Sequence, residues 1–134
     1  MFGRFFAFVA LFASLFAFTG TAQAAPAAQS SSRGDTALVL TVQYSEIEDN
    51  AFKATVLTCE RGDSHPRRAL ACATLASSGA DLQAMEADGR ACTFIYAPVE
   101  VAMFGFWRGE PVHQVHTYPN SCVMLAHTGA VFDF

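Results

Sequence analysis

The sequence is poor in charge and in the short motifs that carry catalytic or nucleotide-binding chemistry. Charged residues make up 15% of its 134 residues, with 8 basic and 12 acidic side chains. This mildly acidic, scattered balance argues against nucleic acid or an anionic membrane as a partner. The sequence contains no glycine-rich phosphate-binding loop and no G-x-S-x-G nucleophile motif. It therefore predicts no cofactor and no catalytic residues, and a protein that is not an enzyme.

Histidine is scarce too, and its spacing does not favour a metal site. Three of the four histidines, His113, His116 and His127, lie near the C-terminal end. Side chains three residues apart on a strand point to opposite faces, so His113 and His116 are not expected to converge. No cysteine pair has the C-x-x-C spacing of many zinc sites and redox dithiols. We expect no bound metal; a metal-dependent enzyme is the alternative, and metal analysis of the purified protein tests it.

Long hydrophobic runs are absent beyond the N-terminus. Seven of the 13 phenylalanines lie in the first 18 residues, and all of them but Phe2 follow a single arginine, Arg4. The apolar run 5–18 is shorter than the roughly 20 residues of a membrane-spanning helix, and the small residues Ala22 and Ala24 follow it. This pattern is typical of a secretory signal peptide rather than a membrane anchor. We expect cleavage after Ala24 and a secreted, extracellular protein that no longer contacts the membrane.

The remaining chain suffices for one domain with one modest core. Segment 25–35 is rich in Ala and Ser and predicts a flexible N-terminal arm. Hydrophobic patterns predict the regular elements that follow: strands at 36–44, 53–59, 99–107 and 112–118, an interrupted helix or two short ones at 67–85, and a short helix at 121–127. The apolar residues 131–134 are expected to dock in the sheet. Strands on both sides of a helical segment indicate an α+β fold with an antiparallel sheet.

Four cysteines, an even number, lie in the predicted mature chain: Cys59, Cys72, Cys92 and Cys122. An even number in a small secreted domain indicates disulfides rather than reactive thiols. The sequence therefore predicts two disulfides, for which three pairings are possible.

Large apolar residues follow Cys92 in a segment that otherwise has the character of a loop. Phe94, Ile95 and Tyr96 stand there in sequence. Apolar side chains in a loop are costly to expose unless something uses them. Two interpretations remain open: the start of a buried strand, or an exposed, disulfide-tethered segment offered to a protease.

The predicted strand 99–107 carries large side chains on both faces. Trp107 shares one face with Val99, Val101 and Met103, whereas Phe104 and Phe106 lie on the other face. A sheet that is apolar on both sides is either covered twice or forms an interface. Core packing and contact with a second subunit are both compatible with this pattern.

Several segments taken together identify a family resemblance over residues 36–134. They are 37–42, 57–59, 65–66, 71–75, 79–82, 92–99, 106–109, 120–122, 126–127 and 131–134, and they include all four cysteines. In these segments the chain resembles the Streptomyces subtilisin inhibitor family of secreted serine protease inhibitors. The resemblance implies a domain spanning 36–134, with a five-stranded antiparallel sheet, two helices packed on it, and a homodimer. It also implies the pairs Cys59–Cys72 and Cys92–Cys122.

The same resemblance implies a reactive bond, Phe94–Ile95, two residues after Cys92. The protease-contact loop around this bond is then Ala91, Cys92, Thr93, Tyr96 and Ala97. An aromatic side chain before the bond suits the deep apolar pocket of subtilisin-like or chymotrypsin-like proteases, and not a trypsin-like pocket with a buried carboxylate. The implied partner is a serine endopeptidase of the subtilisin class.

Two positions depart from the family pattern. Thr93 stands where many members have proline, and Ala97 where many have aspartate. These departures motivate an alternative hypothesis, a secreted disulfide-bonded scaffold or interaction module of the same fold with weak or lost inhibition. Steady turnover of the Phe94–Ile95 bond during prolonged incubation with the protease would favour that alternative.

Overall fold

The computed structural model describes residues 34–45, 51–62 and 64–134. The predicted signal peptide 1–24 and nearly all of the predicted arm 25–35 lie outside the described residues. Over the described ranges, no helix has the length and apolar character needed to cross a membrane.

The described residues form one antiparallel sheet of four strands. These are β1 (Ala37–Tyr44), β2 (Phe52–Leu57), β3 (Val99–Trp107) and β4 (Glu110–Tyr118). They lie in the order β2-β1-β3-β4, so the first and third strands of the chain are the two central ones. Alternate side chains of β1 and β3 are buried on one face, as the period-two pattern predicts.

The expectation of five strands is wrong for the part of the chain that the structure describes. Residues 131–134 do not pair with the sheet, because Gly129–Phe132 forms a 3₁₀ helix that packs mainly against the helices. Ala130, Val131 and Phe132 are all buried, one after another. A strand places successive side chains on opposite faces, so three consecutive buried residues suit a helical turn between two layers better.

Two helices, α1 (Arg68–Ser78) and α2 (Ser121–Thr128), cover one face of the sheet. The predicted interruption after α1 is confirmed. Gly79 ends the helix in the left-handed conformation, and the Asp81 side chain caps a short 3₁₀ helix, Leu82–Ala84, by accepting the N–H of Gln83. One apolar face of this helical stretch is buried: it consists of Ala71, Leu75, Leu82 and Met85.

Gly105 allows β1 and β3 to lie close together. Its φ is +133°, and a Cβ atom there would lie 2.2 Å from the carbonyl oxygen of Ala37 on β1. Only glycine avoids both the strain and the clash, because it lacks a side chain.

Two disulfides fasten the helices to the rest of the domain. Cys59–Cys72 joins the end of β2 to α1, and Cys92–Cys122 joins the segment before β3 to α2, with Cα–Cα distances of 5.9 and 5.7 Å. These are the two pairs that the resemblance implies, and they use every cysteine in the described chain.

Candidate functional site

The candidate site is the chain segment 86–98, which connects the short 3₁₀ helix to β3 without regular structure. Phe94 is 105% exposed, Ile95 68% and Tyr96 73%. The structure favours the exposed segment over a buried strand start, because β3 begins only at Val99. Three large apolar side chains are thus held out in solvent in a row, an arrangement that folding alone does not favour.

The other predicted contact residues flank this exposed tip. Ala91 and Thr93 are exposed, whereas Cys92 and Ala97 are half-buried at the two shoulders of the loop. No charged residue occurs between Arg90 and Glu100. The loop therefore offers a neutral, apolar and extended surface with its base turned towards the domain.

Covalent and backbone links hold the loop on both sides of Phe94. On the N-terminal side, Cys92 is bonded to Cys122 of α2. On the C-terminal side, the N–H of Ala97 donates to the carbonyl of Pro119 at 2.9 Å. Both links lead to the segment 119–122, at the junction between β4 and α2, so one small part of the core supports both halves of the loop.

Asn120 provides a third link that spans the predicted reactive bond. Its side-chain Nδ2 donates to the carbonyl oxygens of Thr93 at 3.1 Å and Ile95 at 2.9 Å. The residue is buried, with 7% exposure. Because one amide group binds the residues on both sides of Phe94, the backbone there is held in a fixed shape while the Phe94 side chain stays free.

The same Asn120 side chain caps α2. Its Oδ1 accepts the N–H of Val123 at 2.9 Å, which fixes the amide orientation and leaves Nδ2 for the loop. In the sequence, Asn120 lies between the predicted strand 112–118 and the predicted helix 121–127. An asparagine directly before a helical segment is a recognisable cap signal. The loop contacts were not recognisable, because they depend on how the fold brings 93–95 over 120.

The loop does not lie flat on the domain. A recess of about 310 Å³ separates its underside from α2, with Phe94, Pro119 and Val123 among the lining residues. The disulfide and Asn120 bridge this recess. The shape of the loop therefore depends on a few defined links rather than on continuous packing.

An ion pair lies where the chain enters the loop. The Asp88 carboxylate contacts the Arg90 guanidinium, and the N–H of Asp88 donates to the carbonyl of Ala126 on α2 at 2.9 Å. Hydrogen bonds from Arg90 lower the pKa of Asp88, and the Asp88 carboxylate raises the pKa of Arg90. The basic residue that precedes the loop tip in the chain is thus paired.

The histidines are placed as their spacing predicts. His113 pairs with Phe104 on the exposed face of the sheet, and His116 pairs with Val101, whose side chain is buried on the opposite face. His127 contacts the carbonyl of Met85 through Nδ1 at 2.8 Å. The Tyr118 ring lies between those of His116 and His127, and burial raises the pKa of its hydroxyl. In the described ranges, no three His, Cys, Asp or Glu side chains are grouped as metal ligands.

The chain is similar to a known protein family and to individual members of it. The family model described as "Subtilisin inhibitor-like" matches residues 34–120. A "Subtilase-type protease inhibitor" of Streptomyces fradiae is 41% identical over 133 residues, covering 94% of this chain and 91% of the relative. A "Trypsin inhibitor STI2" of Streptomyces longisporus is 38% identical over 122 residues, covering 87% and 85%.

A solved structure agrees with the sequence relatives. Streptomyces caespitosus sermetstatin, crystallised in complex with Bacillus licheniformis subtilisin, matches with a TM-score of 0.60 and 30% identity, covering 75% of this chain and 100% of sermetstatin. The family model covers most of the described domain, and the relatives cover nearly the whole chain. By sequence and by fold, this chain belongs to the subtilisin inhibitor-like family.

Proposed function

We propose that this chain inhibits subtilisin-like serine proteases, and chymotrypsin-like ones as a second target class, by a substrate-like and reversible mechanism. Phe94–Ile95 is the reactive bond. The observation that carries the proposal is the full exposure of Phe94 on a loop fastened by the Cys92–Cys122 disulfide and by Asn120. The family membership and the complex of sermetstatin with subtilisin support the same reading.

The exposed loop suits the way in which serine proteases read a substrate. Such a protease pairs with an extended backbone and takes the side chain before the scissile bond into a pocket. Phe94 presents an aromatic ring for an apolar pocket, and Ile95 and Tyr96 follow on the leaving-group side. The nucleophile and the oxyanion hole belong to the protease, so this chain needs no catalytic residue of its own.

The links around Phe94 distinguish an inhibitor from a substrate. A preorganised loop loses little conformational entropy on binding, which favours tight association. After cleavage, Cys92 and the Thr93 carbonyl hold the new end at Phe94, while the Ile95 carbonyl and the Ala97 N–H hold the other end. Both ends stay in position for the bond to form again, so release of a cleaved product is slow.

Titration and sequencing test the function and the site together. We expect near-stoichiometric inhibition of subtilisin by the mature chain, and a new N-terminus at Ile95 in the partly cleaved complex. Phe94→Lys is expected to shift preference towards trypsin, because a basic side chain matches a pocket with a buried carboxylate. Absence of tight inhibition, or steady turnover of the bond, would support the scaffold alternative instead. A cleavage site elsewhere would show that the reactive bond is misplaced.

We further propose that the chain is a homodimer through its outer sheet face, defined as Val39, Val56, Phe104, Phe106 and Val115. The register places Val39 opposite both Val56 and Phe104, so the patch is continuous across three strands. Phe104 and Phe106 remain 41% and 54% exposed. These five residues are all uncharged, so two copies of the patch can face each other without like charges meeting within it.

We also propose that residues 1–24 are a signal peptide, that 25–35 is an arm, and that the domain spans 36–134. The proposal is supported by the N-terminal apolar run and its small-residue cleavage pattern. N-terminal sequencing of protein collected from culture medium tests it. We expect the mature chain to begin at Ala25, whereas intact protein retained in the cell membrane would contradict secretion.

A further inference from the structure

Asp88, Gly89 and Arg90 form a tight turn where the chain enters the loop, just before the predicted contact residues. The Oδ1 atom of Asp88 accepts the backbone N–H of Arg90 at 3.0 Å, which closes an Asx turn over Gly89. The same carboxylate binds the Arg90 side chain through both oxygens, with Nε at 3.0 and 2.9 Å and Nη2 at 2.5 Å. One carboxylate therefore holds both the backbone and the side chain of Arg90.

Gly89 makes this turn possible, and α2 anchors it. The φ of Gly89 is +83°, a conformation that residues with a side chain rarely adopt. The backbone N–H of Asp88 binds the carbonyl of Ala126 on α2 at 2.9 Å. The turn thus has a fixed position relative to the same helix that carries Cys122.

We propose that the Asp88–Gly89–Arg90 turn is a positioning element of the inhibitory loop, which sets the direction in which residues 91–94 leave the domain. This inference rests on the proposed function. Cys92, through its disulfide, and Thr93, through Asn120, fix the loop close to Phe94, but neither fixes the chain before Cys92. The turn adds a fixed point on that upstream side, so residues 91–94 are held at both ends.

The expected effect is local rather than global. An exposed ion pair alone contributes little to folding stability. Here the Asp88 carboxylate also accepts the backbone N–H of Arg90. Loss of this carboxylate frees the chain next to the residues that a protease binds. We therefore expect weaker inhibition and faster cleavage of the loop, with an unchanged unfolding temperature.

Three variants of the mature chain, assayed against subtilisin, test the turn. Asp88→Ala removes both interactions and is expected to raise the inhibition constant by about tenfold. Asp88→Asn keeps an oxygen for the Arg90 N–H but loses the ion pair, and Arg90→Gln loses the pair from the other side. For both variants the inhibition constant is expected to rise by about threefold. Subtilisin is expected to hydrolyse their Phe94–Ile95 bond more slowly than that of Asp88→Ala. If Asp88→Asn inhibits better than Asp88→Ala, the hydrogen bond to the Arg90 N–H contributes separately from the ion pair.

The matched control is an exposed ion pair away from the loop. Arg61 and Asp35 pair at 2.8 Å, and Arg61→Gln is expected to change neither the inhibition constant nor the cleavage rate. If Asp88→Ala stayed within about twofold of wild type in both measurements, the positioning role would be overturned.

Trypsin gives a readout that does not depend on subtilisin inhibition. In the wild type, Asp88 binds both the backbone N–H and the guanidinium of Arg90, so neither group is free to bind trypsin as a substrate arginine does. We expect Asp88→Ala to be cleaved after Arg90 at least about tenfold faster than wild type. If the wild type failed to inhibit subtilisin, the proposed function would be wrong, but the trypsin experiment would still test whether the turn holds Arg90. Equal resistance of both proteins to trypsin would overturn it.

Discussion

Two regions of the molecule expose large apolar side chains, and they differ in what their backbones do. On the outer sheet face, Phe104 and Phe106 stand on β3, whose backbone is paired with β1 and β4 on either side. In the loop, Phe94 and Ile95 stand on a backbone outside the sheet, which is held by separate links: a disulfide, Asn120 and the bond from Ala97 to Pro119.

The difference determines which kind of partner each region suits. A paired strand can offer a partner only its side chains, so the sheet face favours a flat, apolar contact such as a second copy. The loop offers side chains together with backbone groups that a protease pairs with. Exposure of apolar side chains therefore indicates an interface in both regions, and the state of the backbone indicates which type.

The largest expected effect comes from removing the side chain at the loop tip. Phe94→Gly is expected to weaken subtilisin binding by about 1,000-fold or more, near 4 kcal/mol, because a buried aromatic anchor dominates an interface of this kind. Thermal unfolding should not change, since Phe94 contributes no burial in the free protein. Measured inhibition constants and calorimetry check the two halves of this expectation.

The control for that variant lies on the other region. Phe104→Thr shortens an exposed aromatic residue on a strand and keeps a β-branched side chain there. It is expected to leave subtilisin inhibition unchanged. Comparable loss of inhibition in both variants would mean that the sheet face, too, contacts the protease, and the contrast between the two regions would fail.

The next effect concerns the sheet face alone. Phe104→Glu places a charge in each copy of the proposed contact, so two like charges meet across a symmetric interface. We expect the dissociation constant of the dimer to rise by at least about 100-fold. Sedimentation velocity over a dilution series measures it, with Phe94→Gly as the variant that should dimerise normally. A wild-type chain that sediments as a monomer at all concentrations would refute the dimer.

A smaller effect is expected from the brace across the reactive bond. Asn120→Ser keeps an N-cap acceptor for Val123 but lacks the amide that reaches the carbonyls of Thr93 and Ile95. We expect about 10- to 30-fold weaker inhibition, from two lost hydrogen bonds, and faster hydrolysis of the Phe94–Ile95 bond in the complex. Inhibition kinetics followed by mass spectrometry of the loop measures both.

Alanine at the same position separates the two roles of Asn120. Asn120→Ala loses the cap as well, and should lower the free energy of unfolding by about 1 kcal/mol more than Asn120→Ser does. If serine and alanine gave equal stability and wild-type inhibition, neither the cap nor the brace would contribute as the geometry indicates.

The strands were predictable from sequence because their pattern is local. Alternating burial on β1 and β3, the interruption at Gly79 and the cap at Asp81 follow from residue types at short spacing. The strand count was not predictable in this way: five strands came from resemblance, and the apolar run at 131–134 does not reveal whether it pairs or packs. The role of Asn120 was missed because its loop contacts depend on how the fold brings 93–95 over 120. The Asp88–Gly89 pair is a local turn signal, but its attachment to α2 through the Ala126 carbonyl is visible only in the fold.

The smallest expected effect is a shift in titration where the chain enters the loop. Hydrogen bonds from Arg90 lower the pKa of Asp88, and Asp133 adds to the acidic surroundings of the Arg90 guanidinium. A carboxyl whose folded-state pKa is lowered contributes stability above its unfolded-state pKa and loses it as the pH falls through the folded-state value. The turn should therefore persist into mildly acidic solution and open only when Asp88 itself is protonated.

Carboxyl-detected NMR titration measures the Asp88 pKa directly. In Arg90→Gln this pKa is expected to rise towards its ordinary value, whereas Phe104→Thr should leave it unchanged, because the sheet face has no contact with the turn. An unshifted Asp88 in the wild type would show that the pair does not form in solution and that the loop is held from Cys92 onward alone.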